Sequence, residues 1–161
     1  MSPFRLRAAA SAGLVAALAA CSSPPKPPPP PVQLAGSIQT SDKANPNQDG
    51  RASPLMLRVY ELKSVAQFNG ADFMSLFQRD QAELAGEMVA REEYMVRPGE
   101  THAFVKTLSP DTHFLGVVAA YRDLDHATWR GTAAVDPKKN QLVVIHAEKL
   151  AVDLSVSNVA R

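Results

Sequence analysis

A periodicity of two residues runs through most of the chain after Val32, and it constrains the fold more strongly than any other feature. Apolar residues alternate with polar ones, as expected for β-strands that bury one face. Residues 114–121 are apolar almost throughout, which predicts a central strand covered on both faces. The predicted strands span residues 32–39, 54–60, 87–97, 101–108, 114–121, 129–135, 141–147 and 150–156.

Residues 64–84 depart from this periodicity. Phe73 and Phe77 have the i, i+4 spacing of one helix face, and Ser64 and Gln67 have the spacing of a helix capping box. We therefore expect short helical pieces that pack on the sheet. The aromatic side chains are expected in the core rather than in a ligand groove.

Short turns are predicted between neighbouring strands. At residues 97–100 (RPGE), proline and glycine occupy the second and third places of a type II turn. Strands that are joined by such short turns pair antiparallel. The sequence therefore predicts a mainly β fold, a two-layer antiparallel β-sandwich with a short helical insertion.

The first twenty residues read as a secretory signal peptide. Arg5 and Arg7 precede residues 8–20, which are small and apolar and too few to span a membrane. Residues 18–21 (LAAC) have the form of a bacterial lipobox. This predicts that Cys21 becomes the first mature residue and carries covalent diacylglycerol and an N-acyl chain, with no other cofactor. The alternative is an ordinary cleavage site followed by an unpaired thiol.

Two features after Cys21 predict where the mature chain is located and how its domain is attached. No Asp follows Cys21, which by the bacterial sorting rule predicts the periplasmic face of the outer membrane. Residues 24–31 hold seven prolines in eight positions, which favours polyproline II and predicts a stiff tether. The predicted division is a signal peptide at 1–20, a lipid-anchored tether at 21–33, a β-sandwich domain at 34–157 with its helical insertion at 64–84, and a tail at 158–161.

Charge and cysteine content exclude several classes of function. The net charge is +1, and it becomes −1 when the two signal-peptide arginines are removed, so no basic surface for nucleic acid is expected. A single cysteine permits no disulfide within the chain and no cysteine-rich metal site. The four histidines lie on separate segments without metal-ligand spacing: His102, His113, His126 and His146.

No catalytic motif stands out. Asp123, Asp125 and His126 form the densest polar group, but neighbouring residues of one turn rarely converge on one substrate atom. We expect these carboxylates to pair with Arg122 or Arg130 instead. Glu92 and Glu93 are interpreted as a solvated break in a strand. The sequence therefore predicts that the protein is not an enzyme and holds no metal.

Residues 41–53 have no large apolar side chain and contain Asn-Pro and Asp-Gly turn signals. They predict an exposed loop without secondary structure. Loops of this length are usually functional or disordered, and both interpretations remain open for this one.

The chain resembles a known family, the outer-membrane lipoproteins of type VI secretion systems called TssJ or SciN. The resemblance runs in order through nearly all of residues 34–156. The segments that carry it are 45–51 (NPNQDGR), 53–54 (SP), 57–62 (LRVYEL), Phe68, 71–73 (ADF), 76–77 (LF), 97–100 (RPGE), 116–125 (GVVAAYRDLD) and 129–130 (WR). Asn47 and Ala52 stand where the family pattern has Asp and Pro.

The resemblance implies a transthyretin-like β-sandwich in the periplasm with no catalytic activity. It implies a partner, the periplasmic C-terminal domain of the inner-membrane component TssM, and through TssM an indirect association with TssL. The family's contact is the loop between the first two strands. In this chain that loop is Asn45, Pro46, Asn47, Gln48, Asp49, Gly50 and Arg51.

Two other functions remain open at this point. A lipid-anchored module could bind a small molecule or glycan on the aromatic patch between Phe68 and Phe77 together with Trp129. An enzyme is the second alternative, since some transthyretin-like proteins hydrolyse purine-derived substrates with clustered His and Arg. The first alternative requires a concave aromatic pocket, and the second requires that the histidines converge.

Overall fold

The computed structural model describes residues 32–159, which form eight strands and two helices. The predicted signal peptide, Cys21 and nearly all of the tether lie outside these residues. The strands are β1 Gln33–Thr40, β2 Leu55–Leu62, β3 Met88–Val96, β4 Thr101–Thr107, β5 Phe114–Ala119, β6 Arg130–Ala134, β7 Gln141–Ala147 and β8 Val152–Asn158. The helices are α1 Ala66–Gly70 and α2 Phe73–Glu83. Each predicted strand lies within two residues of the observed one at both ends.

The strands form two four-stranded sheets that pack face to face. The first sheet has the order β4-β1-β7-β8, and the second has the order β3-β2-β5-β6. All neighbouring strands pair antiparallel except β1 and β7, which run parallel with Ile38 opposite Ile145. The predicted mainly β, two-layer and mainly antiparallel sandwich is confirmed.

The core between the sheets comes from the period-two alternation. Ile38 and Ile145 of the first sheet and Leu57, Val59 and Val117 of the second belong to one buried cluster, and each is at most 1% exposed. Burial of such apolar side chains is the main source of stability in a domain of this size.

The helices form a third layer on the outer face of the second sheet. Tyr60 and Val118 of that face pack with Phe68 of α1 and Leu76 of α2. Phe68 is fully buried, and a Cβ atom at Gly116 would lie 2.8 Å from its ring, so the ring rests directly on β5. This layer explains why β5 is buried on both faces, as its apolar sequence predicts.

The N-terminus of α1 is capped from a distance. The expected capping box is wrong, because the N-cap residue is Val65 without a side-chain cap and Ser64 donates its hydroxyl to Glu87. The Glu87 carboxylate also accepts hydrogen bonds from the backbone N–H groups of Gln67 and Phe68. Burial raises the pKa of Glu87, but these hydrogen bonds outweigh it and hold the pKa below its ordinary value.

The expected strand break at Glu92 and Glu93 is also wrong, because both lie within β3. Glu93 forms an ion pair with Arg58 Nε at 2.9 Å, and Glu92 pairs with Lys106 Nζ at 2.9 Å. Lys106 also reaches Glu61 at 2.7 Å, which joins β4 of the first sheet to β2 of the second. The carboxylates of Glu92 and Glu93 therefore form ion pairs with neighbouring strands and are not only solvated.

The first strand enters the sandwich at one end, and the loop between β1 and β2 lies at the other end. Strand β1 starts at Gln33, close to Asn140 of the β6–β7 turn, and we call this the tether end. It finishes at Thr40 beside Ala147, where the loop begins, and we call this the loop end. Eight strand residues span about 26 Å, so the loop lies a full strand length from the point of entry.

No helix of residues 32–159 is long and apolar enough to cross a membrane.

Candidate functional site

The loop between β1 and β2 is held at its base by hydrogen bonds. Ala44 and Asn45 are buried, and the backbone N–H of Asn45 donates to the Lys149 carbonyl at 3.0 Å. The N–H of Ser53 donates to the Ala44 carbonyl at 3.1 Å, which closes the base. The sequence-based expectation of an exposed loop is therefore wrong for the base, and it holds for residues 48–51 at the tip.

Asn45 is the central residue of the base. Its φ of 49° is positive, a conformation that asparagine tolerates better than most residues. Its side-chain Nδ2 donates to the Pro54 carbonyl at 2.7 Å, and its Oδ1 accepts from the Arg122 N–H at 2.8 Å. The Asn45 amide is thus engaged inside the domain, where it fixes the loop against the β5–β6 connection.

The tip of the loop is a closed turn built around Asn47. Its Oδ1 accepts hydrogen bonds from the backbone N–H groups of Asp49 at 3.1 Å and Arg51 at 2.8 Å, and its own N–H donates to the Arg51 carbonyl at 2.8 Å. Gly50 takes a φ of 78°, which favours glycine. The tip therefore displays the side chains of Gln48, Asp49 and Arg51 from a fixed backbone.

A cleft of about 760 Å³ lies between this loop and the connection from β5 to β6. Its lining residues come from both segments: Pro46, Asn47, Gln48, Asp49, Arg122 and Asp123. The β5–β6 connection is anchored by Tyr121, whose hydroxyl donates to the Ala151 carbonyl at 2.6 Å. The cleft therefore lies between two walls that are each held by hydrogen bonds to the domain.

The polar group at residues 123–126 pairs within itself. Asp123 Oδ1 lies 2.8 Å from His126 Nδ1, so the expected pairing with arginine is wrong. Arg130 instead donates to the carbonyls of Phe68 at 3.0 Å and Ala71 at 2.7 Å, at the end of α1.

We predict that the pKa of His126 lies above its ordinary value. The hydrogen bond to Asp123, aided by the charge of that carboxylate, raises the pKa of His126. The pair stabilises the fold at pH values below the ordinary histidine pKa, and this contribution is lost as the pH rises through the raised pKa. The substitution Asp123→Asn is expected to lower the pKa of His126 towards its ordinary value, as measured by NMR titration. An equal decrease in Asp125→Asn would contradict the assignment.

Two further kinds of site bear on the functions that the sequence left open, a metal site and an aromatic pocket. Among residues 32–159, no group of three or more His, Cys, Asp or Glu side chains could hold a metal ion. The aromatic side chains pack on one another, with Phe73 stacked on Phe77 at 5.2 Å and edge-on to Trp129 at 5.3 Å between ring centroids. The cleft described above is lined by the loop and the β5–β6 connection and not by these rings.

Comparison with known proteins identifies the family. Residues 32–153 match the model of the Type VI secretion lipoprotein family, whose members include VasD, EvfM and TssJ. This chain belongs to the type VI secretion lipoprotein family. The match includes the loop, the β5–β6 connection and the helical insertion. A comparison with curated proteins found no match.

Solved structures similar to this type VI secretion lipoprotein agree with the assignment. The T6SS lipoprotein TssJ1 from Pseudomonas aeruginosa is 36% identical with a TM-score of 0.77, covering 81% of this chain and 100% of its own. A structure described as a Type VI membrane complex is 25% identical with a TM-score of 0.65, covering 80% and 98%. One described as the T6SS protein TssM C-terminal domain from EAEC is 24% identical with a TM-score of 0.60, covering 79% and 98%, and supports the fold.

Two residues of the site in this type VI secretion lipoprotein carry no local sequence signal for their roles. Tyr121 reads as the end of an apolar strand, yet its hydroxyl supports the β5–β6 connection. Arg122 reads as a partner for a neighbouring carboxylate, yet its backbone N–H donates to the Asn45 side-chain oxygen across 77 positions. Only a contact between distant segments reveals either role.

Proposed function

We propose that this type VI secretion lipoprotein anchors the trans-envelope complex at the outer membrane by binding the periplasmic C-terminal domain of TssM. The observation that carries the proposal is the fixed, exposed loop tip at the end of the sandwich opposite to chain entry. Membership of the type VI secretion lipoprotein family supports the part of the proposal that places the protein in a type VI secretion system. The resemblance of residues 45–51 to the family's contact loop supports the choice of partner.

The position of the loop suits a protein that is held from one end. In this proposal, lipid on Cys21 holds the chain at the periplasmic face of the outer membrane, and the proline-rich tether leads into Gln33. Residues 22–31 in polyproline II would reach about 31 Å at roughly 3.1 Å per residue. The loop tip would then face away from the membrane towards the inner-membrane component. TssL would associate only indirectly, through TssM.

The geometry of the tip suits binding rather than catalysis. Asn47 orders the tip through its own side chain, so little conformational entropy remains to be lost on association. Asp49 and Arg51 offer charge-assisted hydrogen bonds to a partner. The protein is accordingly proposed to act as a docking component and not as an enzyme.

Co-purification tests the proposal directly. The mature lipoprotein, extracted in detergent, is expected to retain the purified periplasmic domain of its TssM on an affinity column. A matched column that carries an unrelated lipoprotein should not retain it. If the two columns retain equal amounts of TssM domain, the proposed function is wrong.

The substitution Cys21→Ser is expected to release the protein from membranes, because the serine hydroxyl is not lipidated and the diacylglycerol and the N-acyl chain are both lost. Two or more acyl chains anchor stably at about 0.8 kcal/mol per buried CH₂ group, whereas a protein without them has no such anchor. Fractionation and labelling with palmitate measure the effect, and Ser22→Ala serves as the control. Retention of the unlabelled Cys21→Ser protein in the outer-membrane fraction would contradict the anchor.

A further inference from the structure

We propose that the β5–β6 connection forms a second wall of the TssM-binding site, where Arg122 and Asp123 contact the partner together with the loop tip. This inference rests on the proposed function, because it adds contact residues to the same site. The occupant is a polar segment of the periplasmic domain of TssM that enters the cleft between the two walls. That segment presents a carboxylate group to the Arg122 guanidinium.

The two walls are joined before any partner binds. Asn45 is only 3% exposed, and its side chain accepts from the Arg122 N–H while donating to the Pro54 carbonyl. The loop and the β5–β6 connection are therefore fixed relative to one another by one buried amide. A surface whose parts are already ordered loses less entropy on binding than one that must assemble.

A third segment supports both walls from below. The Tyr121 hydroxyl donates to the carbonyls of Glu148 at 3.0 Å and Ala151 at 2.6 Å, which lie in the β7–β8 connection. The same connection accepts the Asn45 N–H at the Lys149 carbonyl. The cleft thus rests on three chain segments, and its shape does not depend on the loop alone.

The Arg122 charge on the second wall is available to a partner, whereas one oxygen of Asp123 already pairs with His126. Arg122 and Asp123 are exposed, and within residues 32–159 no ion pair or hydrogen bond engages the Arg122 guanidinium. Arginine is well suited to this role, because its planar fork can bind a carboxylate with two parallel hydrogen bonds. The cleft volume of about 760 Å³ leaves room for several side chains of an inserted segment.

Isothermal titration of the periplasmic domain of TssM into the mature lipoprotein tests this second wall. Arg122→Glu is expected to weaken binding by about tenfold or more, as for a central arginine of an interface. This substitution keeps the Arg122 N–H that Asn45 requires. The control Lys138→Glu makes the same charge change at the exposed tether end and should leave the affinity within about twofold, as for a residue outside an interface.

A second pair of variants distinguishes the effect of the Asp123 carboxylate on binding from the effect of its hydrogen bond to His126. Asp123→Asn removes the carboxylate charge, whereas His126→Ala removes only its partner and keeps the carboxylate. Binding weakened in Asp123→Asn but retained in His126→Ala supports direct contact. Thermal unfolding by circular dichroism verifies that every variant is folded.

The outcomes distinguish this inference from the proposed function. If the wild type binds, an altered loop tip weakens binding, and Arg122→Glu and Asp123→Asn behave like Lys138→Glu, the second wall is wrong and the function stands. If Asp123→Asn and His126→Ala weaken binding equally, direct contact by Asp123 is wrong. If the wild type does not bind the TssM domain, both the proposed function and the second wall are wrong.

Discussion

Simultaneous replacement of Gln48, Asp49 and Arg51 by alanine is expected to weaken binding of the TssM periplasmic domain by about 100-fold or more. A few residues of an interface carry most of its binding energy, and a loss of about 2.7 kcal/mol corresponds to this factor. These three side chains are exposed, so their removal leaves the core unchanged. Isothermal titration calorimetry with the mature lipoprotein measures the loss.

The fold should survive the same triple substitution. The hydrogen bonds that the backbone N–H groups of Asp49 and Arg51 donate to Asn47 are kept, and only a long one from Asn47 Nδ2 to the Asp49 carboxylate, at 3.4 Å, is lost. Surface substitutions of this kind usually change stability by no more than about 0.5 kcal/mol. Deletion of the loop would be a poorer test, because it removes Asn45 and its bonds to Pro54 and Arg122. Unchanged affinity in a folded triple variant would exclude the tip from the interface.

The substitution Lys106→Met is expected to destabilise the domain by about 3–5 kcal/mol, the usual cost of breaking a buried ion pair. The Lys106 side chain is 10% exposed and lies 2.7 Å from Glu61, whose side chain is 5% exposed. Without the lysine, the Glu61 carboxylate would keep hydrogen bonds from Thr112 and Ser109 but would lack a countercharge. Urea unfolding at neutral pH measures the effect.

Two control variants test whether the unpaired charge of Glu61 causes this loss of stability. The double variant Glu61→Leu with Lys106→Met should recover much of the stability, because no unpaired charge is then buried. Lys139→Met breaks an exposed pair with Asp136 and should cost less than about 1 kcal/mol. A cost for Lys106→Met no larger than that for Lys139→Met would show that the buried pair does not stabilise the sandwich.

The strands could be predicted from the sequence because strand formation leaves a local signature. Alternation of apolar and polar residues located β7 at its observed bounds and the others within two residues. The parallel pairing of β1 with β7 could not be predicted from the turns. It joins segments about one hundred positions apart, and no local pattern specifies such a neighbour.

Charged and polar residues were harder to place than apolar ones. Glu92 and Glu93 look like a strand break, because their partners Lys106 and Arg58 belong to other strands. Ser64 looks like a helix cap, yet Glu87, which lies just before β3, accepts the α1 amides. Local spacing reveals which residues could pair, whereas the fold determines which ones meet.

For the candidate site, the sequence located the loop but not its construction. Asn-Pro and Asp-Gly signals correctly indicate turns, and the family resemblance points to the same residues. The resemblance counts Asn45 among the residues of the contact loop, whereas its buried amide bonds to Pro54 and Arg122 within the domain. The contribution of Arg122 depends on a contact across 77 positions and has no local signal.

Hydrogen exchange of the mature lipoprotein, with and without the periplasmic domain of TssM, tests the central claim most directly. Residues 48–51 are exposed in the free protein, although the N–H groups of Asp49 and Arg51 donate to Asn47. We expect added protection at the amides of these residues when the partner covers them, and no change at the tether-end turn 136–139. Protection confined to the tether end, or no protection at any amide while the partner is bound, would contradict binding through the loop end.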